Sequence, residues 1–467
     1  MSYLGAAESW AKGSGLRVPY AAWTNPDSTE PLRVFAPGFS LTIGVALRLG
    51  ASPGQGARII QALAAAVTAA TLAWLLDLLA GSLAAAVGVA AILLSPALIG
   101  DYIAVLSEPM FLAFVSVALL LMVTRPERPL AYGLAAAAAA SVRYAGLSLV
   151  VAAVLWALAQ NGDRRTRLRR GALAAIPAIA AAFLWLARTY RMTHHAPLPV
   201  EHPAMAVGDA VSQAWSELAI TLAPSLDDSR WFTAAAVLAL VLAVLTLAWN
   251  SRAGLGPAER SLHVVLGLFG ACYALLVVAA KLFVGHDIPL DLRILSPLVL
   301  CAALALVVAL RKGMSRWPVP VRAVAAIAAA GWLAGALLAA KELDDDIGVN
   351  GYDFATRSWK ASETLAWLRR EGSGYALYTN HPVPIYYYLH RPSRDLPTIA
   401  APDTLRRFAA TLSASPSALV EFSDTTWREQ VPGGVLARRL HLRVAARLAD
   451  GTVWVGPAAI SVASSSP

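Results

Sequence analysis

The chain has 467 residues, of which 58% are hydrophobic and only 14% are charged. Soluble globular proteins carry about 25% charged residues, so this composition excludes an ordinary soluble enzyme and a disordered chain. The formal net charge is +9, but the basic residues lie between long apolar runs. That distribution indicates membrane topology rather than nucleic-acid binding, and no nucleic-acid partner is expected.

Ten apolar stretches are predicted to cross a bilayer as helices, because a span needs about 20 apolar residues and must satisfy its own backbone hydrogen bonds. They are residues 57–79, 82–100, 104–124, 129–142, 146–160, 170–190, 231–250, 260–283, 294–311 and 319–341. A further stretch, residues 34–49, is short and has Pro37-Gly38 near its start. It is interpreted as a re-entrant or interfacial helix.

Basic residues in the short connections set the predicted orientation. Clusters follow the third, fifth, seventh and ninth spans, all on one side, which is assigned to the cytoplasm. Residues 1–56 and 342–467 are then extracytoplasmic and flank a transmembrane domain at 57–341. The expected fold is a polytopic α-helical protein of the inner or plasma membrane with a small C-terminal α/β domain.

The C-terminal segment has the composition of a soluble α/β domain. Its pattern predicts helices at 355–371, 384–389 and 403–412, and strands at 375–378, 418–422 and a hairpin formed by 442–448 and 452–455. The run Tyr386-Tyr387-Tyr388 is either a sugar-stacking platform or, as is more usual for aromatic residues, part of a core or interface.

Metal and redox chemistry have little support in the sequence. Cys272 and Cys301 both lie in apolar runs, without the spacing of a disulfide framework, a zinc site or a redox pair. The acidic run at residues 344–346 lies at the mouth of a predicted span and is interpreted as a solvated linker. No cofactor is firmly implied, and dependence on a divalent metal is left open.

Ionisable residues at the predicted outer ends of the spans are candidates for function, because charge is costly at the membrane. They are Asp101, Glu108, Arg143, Asp287, Asp291, Arg293, Arg58 and Arg33. Arginine binds phosphate through a bidentate fork, and a carboxylate can act as general base on an acceptor hydroxyl. The alternative is that each arginine snorkels, or pairs with an acid to hold helices together.

Six short motifs occur in the order found in GT-C membrane glycosyltransferases, and the chain resembles bacterial relatives of protein O-mannosyltransferases and of the lipid A aminoarabinose transferase. The motifs are Tyr3-Leu4-Gly5-Ala6-Ala7, Phe35-Ala36-Pro37-Gly38-Phe39, Ala57-Arg58-Ile59, Ser107-Glu108-Pro109, Arg143-Tyr144-Ala145-Gly146 and Asp291-Leu292-Arg293-Ile294-Leu295-Ser296-Pro297. Residues 359–368 and 378–382 resemble the start of that family's outer domain.

The resemblance implies transfer of a sugar, with inversion, from a polyprenyl-phosphate donor in the membrane to an acceptor glycan, lipid or protein on the extracytoplasmic face. It places these residues near the donor phosphate: Arg58, Arg143, Arg293 and, less directly, Arg33, with Asp291 in support. The resemblance makes Asp101 and Glu108 either acids that support the arginines or acids on the acceptor side, and they are the weak candidates for catalytic residues.

One departure from the family pattern bears on activity. In the family, the catalytic base is an acid immediately before the Tyr-aliphatic-x-x-Ala stretch, whereas here only Met1 and Ser2 precede Tyr3. Either a first helix and its acid lie upstream, or the chain is an inactive relative that binds lipid-linked sugars or serves as an assembly subunit. Glu8 replaces the base only if the loop changes register. A transporter is a further alternative, although the sequence lacks the related halves typical of transporters.

Overall fold

The computed structural model describes residues 2–193, 256–283, 291–314, 317–423 and 430–456. The chain forms two compact units. The α/β unit comprises Met1–Leu32, Ser40–Pro53 and Ile347–Pro467, and the helical unit comprises Arg33–Phe39 and Gly54–Asp346. The extracytoplasmic placement of residues 1–56 and 342–467 stays a prediction.

Apolar helices make up the helical unit. They are Pro53–Ala80, Ser82–Leu93, Pro96–Ile103, Glu108–Thr124, Pro129–Val142, Leu147–Ala159, Arg164–Thr193, Pro257–Phe283, Leu292–Met314 and Val319–Asn350. Five described segments are long and apolar enough to cross a membrane: Pro53–Ala80, Arg164–Thr193, Pro257–Lys281, Arg293–Lys312 and Val319–Asn350. The predicted fold class, a polytopic helical membrane protein with a small α/β unit, is confirmed.

Individual predicted spans agree with the structure to different degrees. The span predicted at 82–100 is wrong as one helix, because the chain breaks between Leu93 and Pro96, where proline supplies no backbone N–H to continue the ladder. Residues 34–49 form the shorter helix Gly38–Arg48, with an arginine in its last turn. The span predicted at 231–250 lies outside the described residues.

Small residues let the helices of the helical unit approach closely. A Cβ placed on Gly133 would lie 2.5 Å from the carbonyl oxygen of Ala174, and one on Gly38 would lie 2.7 Å from that of Ser141. In membranes, such close backbone contacts supply much of the packing that holds helices together. The alanine-rich helix Pro129–Val142 therefore lies directly against its neighbour Arg164–Thr193.

The α/β unit contains a six-stranded sheet. The strands of the unit are β1 Arg17–Val18, β2 Tyr20–Ala21, β3 Glu30–Pro31, β4 Ala376–Thr379, β5 Ser393–Asp395, β6 Ser417–Phe422, β7 Arg443–Leu448 and β8 Gly451–Val455. Strands β1 and β3 form a separate antiparallel pair, and the other six form the sheet. The order in the sheet is β2-β5-β4-β6-β8-β7. The pairs β2–β5, β5–β4 and β4–β6 are parallel, and β6–β8 and β8–β7 are antiparallel.

Both faces of this sheet are covered by apolar side chains, as alternation along a strand requires. Leu377 and Val420 point into one core with Trp367, whereas Tyr378 and Leu419 point into the other. The strands and hairpin predicted from the sequence are confirmed. The helix predicted at 355–371 is wrong, because it divides into Asp353–Ala355, Arg357–Lys360 and Glu363–Arg370.

Hydrogen bonds at the start of the helix Glu363–Arg370 explain why the predicted helix is divided. Ser362 caps the helix Glu363–Arg370 by accepting a hydrogen bond from the backbone N–H of Leu365 at 3.1 Å. Asp450 accepts from the amide of Thr364 at 3.0 Å and from its hydroxyl at 2.8 Å, which fixes the same helix start to the β7–β8 turn.

The N-terminal segment belongs to the α/β unit. It begins with the helix Ser2–Ala11, which is followed by Gly13 and Gly15, both at positive φ where glycine carries no steric penalty. Strand β2 then joins β5, and Arg394 donates through Nε to the carbonyl of Asn25 at 3.0 Å. The segment is thus part of the sheet and not a separate loop.

Candidate functional site

Three helix ends bring charged side chains of the helical unit together. Glu108 is the first residue of the helix Glu108–Thr124, where the helix dipole favours a carboxylate. Arg143 immediately follows the helix Pro129–Val142 and has extended backbone dihedrals, so the chain turns there. Arg293 lies in the first turn of the helix Leu292–Met314.

The carboxylate of Glu108 lies between two arginines. Its Oε1 forms an ion pair with Nη1 of Arg143 and lies 3.3 Å from Nε of Arg293. The Glu108 side chain is only 3% exposed, against 18% for Arg143 and 37% for Arg293. A buried carboxylate needs such partners, since an unpaired charge in this position would cost several kcal/mol, on the order of 3–5.

Ser107 adds a hydroxyl to this ion pair. Its Oγ donates to Oε2 of Glu108 at 3.2 Å and accepts from Nη1 of Arg143 at 3.2 Å. The serine therefore bridges the two charged groups while its own side chain is fully buried. The sequence Ser107-Glu108-Pro109 thus supplies two of the cluster's polar groups from adjacent positions.

Asp291 orients Arg293 from the residue before the helix. Its Oδ1 accepts from the backbone N–H of Ile294 at 3.0 Å, which is a helix N-cap, and its Oδ2 lies 3.5 Å from Nη2 of Arg293. Arg293 is consequently held through Nε by Glu108 and through Nη2 by Asp291. Its Nη1 makes no hydrogen bond with any residue that the structure describes, and the side chain is partly exposed.

Asp101 forms the innermost part of the cluster. Its side chain is buried, and it interacts electrostatically with Glu108, Arg143 and Arg293, with the Ser296 hydroxyl beside it. Tyr273 closes the same region, because its hydroxyl donates to the carbonyl of Ile294 at 2.7 Å. The Tyr273 ring stacks on Phe111 at 6.4 Å between centroids, which attaches the arginine-bearing turn to the helix of Glu108.

The backbone around Arg143 is fixed by its neighbour Tyr144. The Tyr144 hydroxyl donates to the carbonyl of Arg33 at 3.0 Å and accepts from Nε1 of Trp185 at 2.8 Å. Gly146 follows in the same turn, and a Cβ there would lie 2.4 Å from the amide nitrogen of Ala140. The Arg-Tyr-Ala-Gly motif therefore requires glycine at its last position.

The structure brings together only some of the residues predicted from the sequence. The described cluster contains Asp101, Glu108, Arg143, Asp291 and Arg293. Arg58 is exposed and forms no ion pair with a described residue. Arg33 contributes its carbonyl to Tyr144, and its guanidinium has no ion pair among the described residues. Asp287 lies outside the described residues.

Three groups that complete the cluster are not predicted by the sequence pattern. Ser107, Ser296 and Tyr273 lie inside or beside motifs in the chain, but nothing in their spacing marks them as polar partners of a charge. A neutral hydroxyl in an apolar helix is common, and only the fold shows that these three lie near the ion pairs. Among the described residues, no group of three or more His, Cys, Asp and Glu side chains assembles that could hold a metal ion.

Comparison with known proteins gives structural neighbours only. No protein-family model matches the chain, and no curated protein matches it. Two crystal structures of ArnT from Cupriavidus metallidurans are similar to the chain. The apo structure matches with 14% identity and a TM-score of 0.46 over 98% of this chain and 93% of that one. The structure bound to undecaprenyl phosphate matches with 14% identity and a TM-score of 0.47 over 97% and 92%.

The geometry of the cluster defines what it can do chemically. Two guanidinium groups converge on one buried carboxylate, and the more exposed of them, Arg293, retains an N–H group that no described residue engages. A guanidinium whose Nε and Nη2 each face an acid directs its remaining N–H donors away from those acids. The arrangement is suited to binding an anion with defined oxygen positions, such as a phosphate.

Proposed function

We propose that this protein is an integral-membrane glycosyltransferase that moves a sugar from a polyprenyl-phosphate donor to an acceptor on the extracytoplasmic face. The observation that carries the proposal is the position of Arg293, held by Glu108 and Asp291 with part of its guanidinium exposed. The motif order that resembles GT-C enzymes supports the same class of donor. The acceptor is a glycan, a lipid or a protein.

In this proposal, Arg293 binds the donor phosphate and Arg143 reinforces the positive potential beneath it. Transfer of the sugar leaves a phosphate monoester with more negative charge than the diester that was bound. Fixed guanidinium donors therefore stabilise the leaving group as charge develops, and they do so without reorganisation. A protein group that strengthens its interaction during the reaction accelerates it.

Glu108 acts in this proposal as a positioning residue. Its carboxylate is buried and is held by two guanidinium groups and a serine hydroxyl, so it is poorly placed to take a proton from an acceptor. Asp101 is buried still more completely at 1% exposure. We therefore assign both acids to the organisation of the arginines, which is the supporting one of the two roles that the motif resemblance leaves open for them.

A second function has support from the same contacts. Arg143 and Arg293 are both engaged by Glu108, and Asp291 also pairs with Arg293, which is what a purely binding or assembly subunit would need to hold a lipid phosphate. Such a protein would bind the lipid-linked sugar without transferring it. Turnover distinguishes the two functions.

The test is donor consumption by the purified full chain in lipid nanodiscs. Polyprenyl-phosphate-linked hexoses and pentoses are each supplied with a membrane extract as acceptor source, and released polyprenyl phosphate is quantified by mass spectrometry. We expect release with at least one donor and a decrease of at least tenfold in Arg293→Gln. Arg322→Gln, at an exposed position on the helix Val319–Asn350, serves as the matched control and should retain activity.

The outcomes separate the candidates. Arg293-dependent release supports a glycosyltransferase. Arg293-dependent binding of the donor without release supports the binding subunit and overturns the enzyme. A folded protein that neither binds nor consumes any donor overturns both, and donor movement across sealed vesicles without release would instead indicate a transporter.

A further inference from the structure

The α/β unit contains a cavity that the proposed transfer site does not involve. It has a volume of about 460 Å³ and is lined by the helix Ser2–Ala11, the segment that follows it, and residues Tyr386 and Pro392. Pockets that hold small ligands have volumes of about 300–1,000 Å³. The cavity is therefore large enough for a ligand of one or two sugar rings.

The charges on its walls balance one another. Glu8 faces Lys12 at 3.8 Å, and Asp27 Oδ2 accepts from Nη2 of Arg17 at 3.2 Å. Arg17 also donates two hydrogen bonds to Thr29, from Nε to its hydroxyl at 2.9 Å and from Nη2 to its carbonyl at 2.8 Å. Two acids and two bases leave no net charge to attract an anion or a cation.

Hydroxyl groups and flat apolar surfaces complete the lining. The hydroxyl-bearing residues Ser9, Ser14 and Ser28 and the apolar residues Pro19 and Pro392 also line the cavity. The Tyr386 phenol is hydrogen-bonded to the carboxylate of Glu8, and burial together with this acid raises the pKa of Tyr386, which keeps the phenol protonated. The wall is thus rich in donors and acceptors that stay neutral or internally paired.

We propose that this cavity binds a neutral saccharide. An apolar ligand would remove water from many polar groups without replacing their hydrogen bonds, which costs free energy at each one. A charged ligand would need an excess of opposite charge, which the two ion pairs do not leave. A sugar ring instead offers hydroxyls to Glu8, Arg17 and the serines, and its C–H faces to Tyr386 and the prolines.

The proposal assigns a role to Tyr386, the first residue of the tyrosine run that the sequence singled out. The other two tyrosines have different surroundings: Tyr388 donates to the carbonyl of Phe354 at 2.6 Å, and Tyr387 packs edge-on against Tyr388. Tyr386 is the member of the run that lines the cavity. In this run, Tyr387 and Tyr388 therefore make structural contacts, and Tyr386 forms part of the binding surface.

The experiment is saturation-transfer difference NMR on the full chain in nanodiscs. The probes are methyl α-mannoside and methyl β-glucoside as neutral sugars, with glucuronate and glucosamine as charged comparisons. Ser14→Trp introduces a bulky side chain at an exposed position of the lining, and Ser373→Trp places the same side chain elsewhere on the α/β unit. Glu8→Gln removes the carboxylate with little change of shape. Arg293→Gln reports on the proposed transfer site.

We expect saturation transfer to at least one neutral glycoside, at least tenfold weaker binding in Ser14→Trp and Glu8→Gln, and less than a twofold change in Ser373→Trp and Arg293→Gln. Absence of saturation transfer from the folded, unaltered protein to both neutral probes overturns the proposal. Equal binding in Ser14→Trp also overturns it, as does a stronger binding of glucuronate that Ser14→Trp abolishes and Arg293→Gln does not. Loss of glycoside binding in Arg293→Gln alone would assign the binding to the transfer site instead.

Discussion

The carboxylate of Glu108 forms an ion pair with the guanidinium of Arg143, and this contact joins the start of one apolar helix to the end of the next. Both groups lie at helix termini whose dipoles favour their charge, acid at the N-terminus and base at the C-terminus. The pair is nearly inaccessible to water on the Glu108 side. The pair should therefore contribute more to the free energy of unfolding than an ion pair at the protein surface does.

Truncation of Glu108 tests that expectation. Glu108→Ala removes the buried carboxylate that lies between Arg143 and Arg293 and breaks both of its ion pairs, and we expect a loss of about 3–5 kcal/mol in the free energy of unfolding. Glu127→Ala removes the acid of an exposed pair with Arg128 at 3.8 Å, and this control should cost less than ~1 kcal/mol. The measurement is denaturation of the purified full chain in detergent. Equal losses in the two variants would show that the buried ion pairs of Glu108 stabilise the protein no more than the exposed pair of Glu127 does.

Asp291 offers a substitution that separates two of its roles. Asparagine caps helices about as well as aspartate, so Asp291→Asn should keep the helix start while it removes a negative charge beside the proposed phosphate site. Because the same change removes the carboxylate that orients Nη2 of Arg293, we expect short-chain polyprenyl phosphate to bind about twofold to fivefold more weakly, as fits a partly exposed ion pair. Asp291→Ala should instead lower stability by about 1 kcal/mol. Equal or tighter binding in Asp291→Asn, measured by native mass spectrometry, would contradict the orienting role of Asp291.

His381 predicts a pH dependence in the α/β unit. It packs edge-on against Phe354 and Trp359, and burial lowers its pKa to about 4 from 6.5. Above pH 6.5 the histidine is neutral in both states, whereas between pH 6.5 and 4 the unfolded chain binds the proton more readily. Stability should therefore fall as the pH falls through this window, by up to about 3 kcal/mol.

Thermal unfolding of the full chain at pH 7 and at pH 4.5 measures this effect. His381→Phe keeps an aromatic ring in the core without a titrating group, so its melting temperature should depend less on pH than that of the unaltered protein. His390→Asn is the control, because His390 is exposed and asparagine tolerates its φ of 50°. The same pH dependence in His381→Phe and the unaltered protein would rule out His381 as its source.

Two glycines test the close packing of the helical unit. Gly133→Ala places a methyl group 2.5 Å from the carbonyl oxygen of Ala174, so the helices must separate, and we expect a loss of about 1–3 kcal/mol. Gly331→Ala is matched in chemistry but meets no atom within 4 Å. It should leave stability unchanged or raise it slightly, since alanine is the better helix former. A neutral Gly133→Ala would show that these helices do not pack as described.

The predicted orientation is testable with single cysteines. After replacement of Cys272 and Cys301 by alanine, Ser373→Cys labels an exposed site in the α/β unit, and Asn161→Cys labels the connection before the helix Arg164–Thr193. A membrane-impermeant maleimide applied to intact spheroplasts should modify Ser373→Cys at once and Asn161→Cys only after permeabilisation. The reverse pattern would place the basic connections outside and invalidate the assignment from the positive residues.

Local sequence patterns identified the elements that depend on local interactions. The β7–β8 hairpin follows from Asp450-Gly451 between alternating residues, and the long helices follow from continuous apolar runs. The break before Pro96 also had a signal, since proline cannot donate to the preceding turn, but the apolar run concealed it. Strand β2 consists only of Tyr20-Ala21 and has no signal in the local sequence, because it forms by pairing with Ser393-Arg394 far along the chain.

The candidate site shows the same division. Charged residues at helix ends were visible in the sequence, and Glu108, Arg143 and Arg293 do lie together. Which acid pairs with which arginine depends on three helices meeting, and no spacing along the chain encodes that. Arg58 carried the same signal as Arg293 yet lies exposed and without an ion pair among the described residues, so position at a span end does not by itself identify a partner.

The proposed function depends on Arg293 binding the phosphate of a polyprenyl-phosphate donor. The most direct measurement compares the affinities of short-chain polyprenyl phosphate and the matching polyprenol for the full chain in nanodiscs, with Arg293→Gln and Arg322→Gln measured alongside. We predict at least tenfold preference for the phosphate in the unaltered protein and in Arg322→Gln, and loss of that preference in Arg293→Gln. Equal affinity for phosphate and alcohol, or a preference that survives in Arg293→Gln, would contradict the claim.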